Sequence, residues 1–349
     1  MDQDLIKAKH FYLVQKIHVS DIKKTPLGSF DVFEVYPEFG VKLDKLSRSL
    51  NDFALYMGCN GSPDGEFDNS LGCYRIRLQR RKVDSIPLSS ALAILPSGML
   101  CPIVLGCTAT GSTLLVDQGA IPNTLVAGAP GSGKSTLLKV MIENLLVSNA
   151  GVVIIDPKIV DFAEFKKRSM CRVESDMENV PHLLDLIISR MNNIYITLAK
   201  KGHLSVAQNN SSGDQKISPE IIIIDEWADV FLSNKECLKK VLLISQKGRA
   251  AGISVILATQ RPSASILPGQ IKANFTGRIA MRVSSELESR MIINSSHAAH
   301  ISEPGMGYYQ DQSMDSPVYF RVAINDLSRK DAPQKPTSFW SNLMSKIIS

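Results

Sequence analysis

The sequence predicts an α/β fold, a mostly parallel sheet flanked by helices, preceded by a small α+β domain. Three observations predict it. The glycine-rich stretch Gly128-Ala129-Pro130-Gly131-Ser132-Gly133-Lys134-Ser135 stands between an apolar run, Asn123 to Ala127, and a segment from Thr136 to Leu146 with apolar residues at helical spacing. A second apolar run, the four isoleucines Ile221 to Ile224, ends in Asp225-Glu226. A third, Ser254 to Ala258, ends in Thr259-Gln260. Short continuous apolar runs alternating with amphipathic stretches are the pattern of parallel strands buried between helices.

The 349 residues suffice for about two domains. We expect a small α+β domain at 1–98, a nucleotide domain at 99–330 and a tail at 331–349. A formal charge of +5 is too mild to identify a polyanionic partner, so any such site must come from local clustering. The six cysteines form neither a C-x-x-C pair nor a regular framework and read as reduced thiols of a cytoplasmic protein. The charged start, Met1 to His10, lacks the apolar core of a signal peptide. The longest apolar region, Ala91 to Cys107, is broken by Pro96, Gly98, Pro102 and Gly106, so no direct membrane insertion is expected. Membrane association would come through a recruiting partner, which the sequence does not identify.

Within residues 1–27 the one expected element is a strand at Phe11-Tyr12-Leu13-Val14. Phe30 to Tyr36 reads as a strand stopped by Pro37 and Gly40, and Leu43, Leu46, Leu50, Phe53 and Met57 mark one face of a helix. Tyr74, Ile76 and Leu78 alternate with Arg75, Arg77 and Gln79, and their apolar side is expected to pack on that helix. The arginines suit a solvated face and a nucleic-acid-facing one equally. Turn formers from Asn60 to Ser70 predict a surface loop. Val152 to Ile155, ending in Asp156-Pro157-Lys158, reads as a buried parallel strand. Leu183, Ile187, Met191, Ile194 and Leu198 form the stripe of a helix ended by Lys200-Lys201-Gly202. The polar stretch from Gln208 to Ser218 is expected to be a mobile loop facing solvent.

The chemistry begins with the glycines. Gly128, Gly131 and Gly133 allow backbone angles that other residues resist, so successive N–H groups can turn toward phosphates at the positive end of the following helix. Ala129, Pro130, Ser132 and Thr136 complete the cradle. Lys134 would reach the β and γ phosphates and the Ser135 hydroxyl would hold Mg²⁺, which makes ATP and Mg²⁺ the expected ligands. Two adjacent carboxylates at the end of a buried strand are costly. A Mg²⁺ nucleotide resolves that cost, with Asp225 serving the metal and Glu226 polarising the attacking water. Thr259 and Gln260 are candidates for hydrogen bonding to the γ-phosphate. Arg249, expected to be exposed just before that strand, could enter a neighbouring subunit's site or be an ordinary surface arginine; spacing by itself favours the latter. His297 and His300 are three apart with no Cys or carboxylate partner evident, so no metal site is expected there.

Taken in order, the motifs resemble the FtsK/SpoIIIE DNA translocases. They are Gly128 to Ser135, Ile155 to Lys158, Asp225-Glu226-Trp227-Ala228-Asp229, Gln246 to Gly252, Ala258-Thr259-Gln260-Arg261-Pro262-Ser263, Ile271-Lys272-Ala273-Asn274 and Arg278 to Ser285. The likeness covers about residues 100–310, and Phe33 to Gln79 is similar to the small domain that precedes the motor in that family. It implies a RecA-like P-loop NTPase that forms a homo-hexameric ring around double-stranded DNA and moves along it by ATP hydrolysis. It implies that Arg249 acts in trans, beside Glu226, Gln260 and Lys134, and that Met306 to Tyr309 is a closing strand that packs. Lys272 is the first candidate for a DNA phosphate, followed by Arg278 and Lys247, and for each of them a structural role stands as an equal alternative.

The sequence shows no amino-terminal membrane spans and no carboxy-terminal winged helix, from which we expect a compact motor for conjugation or genome packaging. Two other readings stand beside this one. The type VII secretion ATPases carry related domains and move polypeptides, but usually have tandem motors and a membrane anchor. A nucleotide-switched scaffold would not need Lys134, Asp225, Glu226 and Arg249 all intact.

Overall fold

Two β-sheets organise the chain in a computed structural model that describes residues 2–59, 63–80, 82–96 and 98–327. The first sheet is antiparallel, with strands β1 (Val19–Leu27), β2 (Phe30–Pro37), β3 (Asp64–Asp68) and β4 (Cys73–Gln79) in the order β1-β2-β4-β3. The second comprises β5 (Pro102–Thr108), β6 (Thr113–Asp117), β7 (Asn123–Ala127), β8 (Gly151–Ile155), β9 (Cys171–Glu174), β10 (Glu220–Ile224), β11 (Ile253–Thr259), β12 (Gly277–Met281), β13 (Met306–Gln310) and β14 (Val318–Val322). Their spatial order is β6-β5-β14-β13-β12-β7-β11-β10-β8-β9. From β12 to β9 every pairing is parallel, and β13, β14, β5 and β6 extend one side in antiparallel fashion.

The continuous apolar runs have a direct cause. β7, β8 and β10 are buried along their whole length because both faces of the sheet are covered. On β10, Ile222 and Ile224 pack into the cluster that holds Leu183, Leu184 and Ile187 of the helix Val180–Lys201. Ile221 and Ile223 pack into the opposite cluster, with Leu137, Leu138 and Met141 of the helix Lys134–Val147. The expected helix stripe is buried at all five positions, and Gly202 ends the helix in the left-handed conformation, φ +71°.

The small sheet has a core of its own, in which Ile76 and Leu78 of β4 meet Leu46 and Phe53 as expected. Four local expectations are corrected. Residues 11–14 belong to a helix, Gln3–Val14, capped by the Asp2 carboxylate, because Ala8, Phe11 and Tyr12 fall on one face at steps of three and four. The stripe from Leu43 to Met57 is two short helices, Leu43–Arg48 and Leu50–Tyr56, that meet at buried Ser49, whose hydroxyl donates to the Leu46 carbonyl. Within the expected 60–70 loop, Asp64–Asp68 forms β3, because its backbone groups pair with β4. Within the expected 208–218 loop, a helix spans Val206–Ser211, and Asn209 is fully buried, its amide bonded to the Gln215 carbonyl at 3.0 Å. The tail at 331–349 lies outside the described residues.

The sheets meet closely. The Ser29 N–H donates to the Ala109 carbonyl at 2.8 Å, and a Cβ on Gly28, at φ +60°, would lie 2.2 Å from that same oxygen. A charged contact joins them as well: Asp64 Oδ2 on β3 is 2.5 Å from His297 Nδ1, and both side chains are buried. Burial by itself raises the Asp64 carboxyl, but the His297 hydrogen bond and the charges of His297, Arg77 and His300 outweigh it and hold its pKa below the ordinary value. His297 therefore has carboxylate partners that the linear spacing hid, Asp64 and, at 3.7 Å, Glu66, while His300 lies 3.3 Å from Glu286.

A carboxyl with a lowered folded pKa contributes stability above its unfolded pKa and loses it as pH falls through the folded value. Urea unfolding should thus show Asp64→Asn less stable by about 3 kcal/mol at pH 7, as expected for breaking one side of a buried pair. The gap to the parent chain should begin to narrow near pH 4, where the unfolded carboxyl protonates, and close as pH falls through the lower folded value.

Candidate nucleotide site

Strand order makes a crevice beside the glycine loop. β7 is flanked by β11 and β12, yet the chain leaving β7 returns first in β8, three strands away, so connections diverge at this point. Ligands of open α/β sheets bind in such crevices, outside the carboxyl ends of the strands. β8 leads there to Asp156 and Lys158, β10 to Asp225 and Glu226, β11 to Thr259 and Gln260, and β12 to Arg282.

Gly131 and Gly133 adopt φ of +73° and +99°, which residues with a Cβ resist. A Cβ on Gly133 would lie 2.8 Å from the Gly305 nitrogen, and one on Gly128 would lie 2.6 Å from Ser132 Oγ. The loop is fastened by the Gly128 N–H on the Thr259 carbonyl at 3.2 Å and the Ala129 N–H on the Arg282 carbonyl at 2.8 Å. The helix Lys134–Val147 starts at Gly133 with no side-chain cap, so its first N–H groups remain available to an anion. Ser132 Oγ is buried without a protein partner, as a phosphate-binding hydroxyl would be. Pro130, Ser135 and Thr136 complete the loop and the first helical turn.

Buried charge concentrates on Asp225, which is fully inaccessible. Lys134 Nζ donates to its Oδ1 at 2.8 Å and to its backbone carbonyl at 2.6 Å, and Lys134 is itself 4% exposed. Oδ2 has no hydrogen-bond partner and lies 3.9 Å from Lys158 Nζ. An orphaned carboxylate oxygen opposite a phosphate loop fits a Mg²⁺ site shared with Ser135. Asp156, also buried, receives the Lys158 and Phe162 N–H groups at 3.1 and 3.2 Å. Burial lifts its carboxyl above the ordinary value; the two N–H bonds oppose the rise, and the charges of Asp225 and Asp161 add to it.

The end of β11 departs from expectation. Thr259, a candidate for sensing phosphate, gives its hydroxyl hydrogen to Glu226 Oε1 at 2.6 Å, and Gln260 contributes its backbone N–H to Glu226 Oε2 at 3.0 Å. Two cations escaped sequence reasoning. Lys158 lay in a quoted motif, but only the parallel pairing of β8 with β10 brings it toward Asp225. The guanidinium of Arg282 stands over Gly131, with Nη2 3.9 Å from where a Cβ would be.

The remaining candidates sit at the opposite edge of the sheet. The Asn123 side chain, at the start of β7, donates to the Ser245 carbonyl at 2.8 Å and the Asn274 carbonyl at 3.1 Å. That edge therefore gathers the ends of the helices Glu236–Lys247 and Gly269–Asn274, which carry Lys247 and Lys272. Arg249 is exposed in the turn Gly248–Ala251 that enters β11, and a strand of that length puts it roughly 20 Å from its own Thr259. Arg278, the second DNA candidate, is half-buried and tied to its own chain. Its guanidinium donates to the carbonyls of Lys272 at 2.9 Å, Ile292 at 3.1 Å and Phe275 at 3.4 Å, which occupies its donors with this chain's own backbone. Burial lowers its pKa accordingly.

Comparison with known proteins agrees with this geometry. A model of the FtsK/SpoIIIE family matches residues 97–297. The DNA translocase FtsK of Treponema pallidum (strain Nichols) is 29% identical over 324 residues, covering 88% of this chain and 40% of the relative. The DNA translocase SftA of Bacillus subtilis (strain 168) is 30% identical over 301 residues, covering 82% of this chain and 32% of the relative. The chain thus spans about two fifths or less of these relatives' length. The monomer form of the pCW3 conjugation coupling protein TcpA with ATPγS superposes with a TM-score of 0.67 at 18% identity, covering 93% of this chain and 96% of that one. The cytoplasmic domain of the Thermomonospora curvata type VII secretion ATPase EccC gives 0.64 at 21% identity, covering 73% of this chain and 35% of that one. At these identities the two structures share the P-loop fold. Among the described residues, no helix is long and apolar enough to cross a membrane.

Gly133→Ala tests the loop. The left-handed backbone and the clash with Gly305 should each oppose the cradle's shape, and titration with a fluorescent ATP analogue should show affinity at least about tenfold weaker than in the parent chain.

Proposed function

Because the chain belongs to the FtsK/SpoIIIE family, we propose that it is an ATP-hydrolysing motor that moves double-stranded DNA as a hexameric ring of its own copies. The observation that carries the proposal is the convergence of Lys134, Asp225 and Glu226 at the crevice beside β7, with Arg249 at the far end of β11. We assign residues 99–330 to the motor and 1–98 to the small α+β domain that precedes it.

In this reading the loop N–H groups and Lys134 bind the triphosphate, Ser135 and Asp225 hold Mg²⁺, and Glu226 orients the attacking water. Mg²⁺, when bound, supplies neutralisation of phosphate charge. Arg249 is too distant to serve its own crevice, so its part in stabilising transition-state charge is played in a neighbour's site. That requirement makes the ring a condition of turnover. Lys272 and Lys247 face DNA phosphates, which carry no sequence information, so movement is independent of sequence.

Turnover should rise with long duplex DNA of any sequence and lose that stimulation as salt increases. Lys134→Ala should fail to bind a fluorescent ATP analogue. Glu226→Gln should bind it while hydrolysing at least about a hundredfold more slowly, the usual weight of a general base. Mixing Arg249→Ala with Glu226→Gln subunits should restore part of the activity that each lacks. ATP-dependent displacement of a triplex strand reports movement itself. Turnover indifferent to duplex DNA, or unimpaired in Lys134→Ala, refutes the proposal; a polypeptide motor or a scaffold would give the former.

A further inference from the structure

Glu226 is not free in its crevice. The Thr259 hydroxyl donates to Oε1 at 2.6 Å, and the Gln260 N–H lies 3.0 Å from Oε2 and 3.3 Å from Oε1, so both carboxylate oxygens are gripped from the end of β11. Glu226 is 5% exposed and Thr259 fully buried, where bonds to a carboxylate are strong and hard to replace with water. Thr259 makes two further bonds. Its carbonyl accepts the Gly128 N–H at 3.2 Å, and its hydroxyl oxygen accepts the Arg261 N–H at 3.2 Å. One residue thus touches the phosphate loop, the general-base candidate and the chain that leaves the strand.

That departing chain leads to the opposite edge of the sheet and is tied on the way. The Ile266 carbonyl accepts the indole N–H of Trp227, the buried neighbour of Glu226, at 2.8 Å. The helix Gly269–Asn274 follows, carrying Lys272, and its last carbonyl is bonded to Asn123 at the start of β7. Residues 259–274 therefore begin on Glu226 and end beside the cation assigned to DNA. The Thr259, Gln260 and Ile266 bonds all lie along this segment, so a shift of Lys272 transmitted through it would load them.

We propose that Thr259 is a positioning residue that parks Glu226 until duplex DNA at Lys272 shifts residues 259–274 and loosens the grip. Freed from Thr259 and Gln260, the carboxylate meets the water that attacks the γ-phosphate. This gate rests on the DNA-motor reading and adds the route by which the cargo reaches the chemistry. Thr259 itself exchanges no proton in the step.

Thr259→Val keeps the side chain's shape and removes the hydroxyl, whereas Thr259→Ser retains the hydroxyl. In Thr259→Val, turnover without DNA should rise, and the ratio of DNA-stimulated to unstimulated turnover should fall about tenfold, the weight of one charge-assisted hydrogen bond. Thr259→Ser should keep the parent ratio. An unchanged ratio in Thr259→Val, or an equal loss of both rates, overturns the gate. A second readout needs neither hydrolysis nor a Thr259 variant. The chain has two tryptophans, so in Trp340→Phe the emission reports Trp227 alone, and duplex DNA added without nucleotide should shift it. Silent emission overturns the gate even where DNA accelerates hydrolysis. If duplex DNA leaves parent turnover unchanged, the DNA-motor reading falls and the gate with it; stimulation with an unchanged Thr259→Val ratio sinks the gate alone.

Discussion

A buried lysine bonded to a buried aspartate is the constraint on which this molecule turns. Lys134 and Asp225 belong to different strand–loop units, and each would be costly in the interior without the other. Their contact requires β7 and β10 to run parallel in one sheet, which in turn requires helices on both faces and the long crossovers that supply them. The same low-dielectric surroundings that make the pair expensive to break would strengthen the pull of Lys134 on a phosphate and of Asp225 on a cation. Stability and chemistry therefore draw on one arrangement of charge.

Charged and polar groups gather at two edges of the large sheet. At the carboxyl edge stand the phosphate loop, two buried aspartates, the parked Glu226 and two cations, Lys158 and Arg282. The amino edge holds Arg249, Lys247 and Lys272. In a motor these tasks must communicate, and a rigid sheet transmits little by bending. Residues 259–274 cross from one edge to the other outside the strands, bonded to Glu226 and Trp227 at the start and close to Lys272 at the end. Such a segment can shift while the sheet keeps its register.

The small sheet is attached by chemistry of another kind. Beside its own core, its junction with the large sheet includes a backbone bond at Ser29, the close approach allowed by Gly28, the edge-on packing of Phe30 against Tyr319, and the Asp64–His297 contact. The directional bonds among them hold an orientation, and the ring pair adds apolar contact. An acidic residue of a short β-strand thereby finds a histidine more than two hundred positions later in the chain.

The local pattern in the sequence was enough for whatever depends on neighbours along the chain. The glycine loop, the isoleucine strand with its two carboxylates and the stripe of Val180–Lys201 were all legible, because period, turn chemistry and burial leave a signature within a few residues. Short elements were not. Phe11 to Val14 is a short apolar run that fits a strand or a helix, and β3 hides in a run of turn formers because a partner strand supplies its backbone bonds. Of the candidate site, the sequence named the groups expected to handle phosphate and metal. Only the tertiary structure decided what they hold: Thr259 on Glu226, Arg278 folded onto carbonyls, Lys158 beside Asp225, His297 on Asp64. The reason is physical, since hydrogen bonds and charge pairs act over a few ångströms of space, and strand order determines which distant residues come that close.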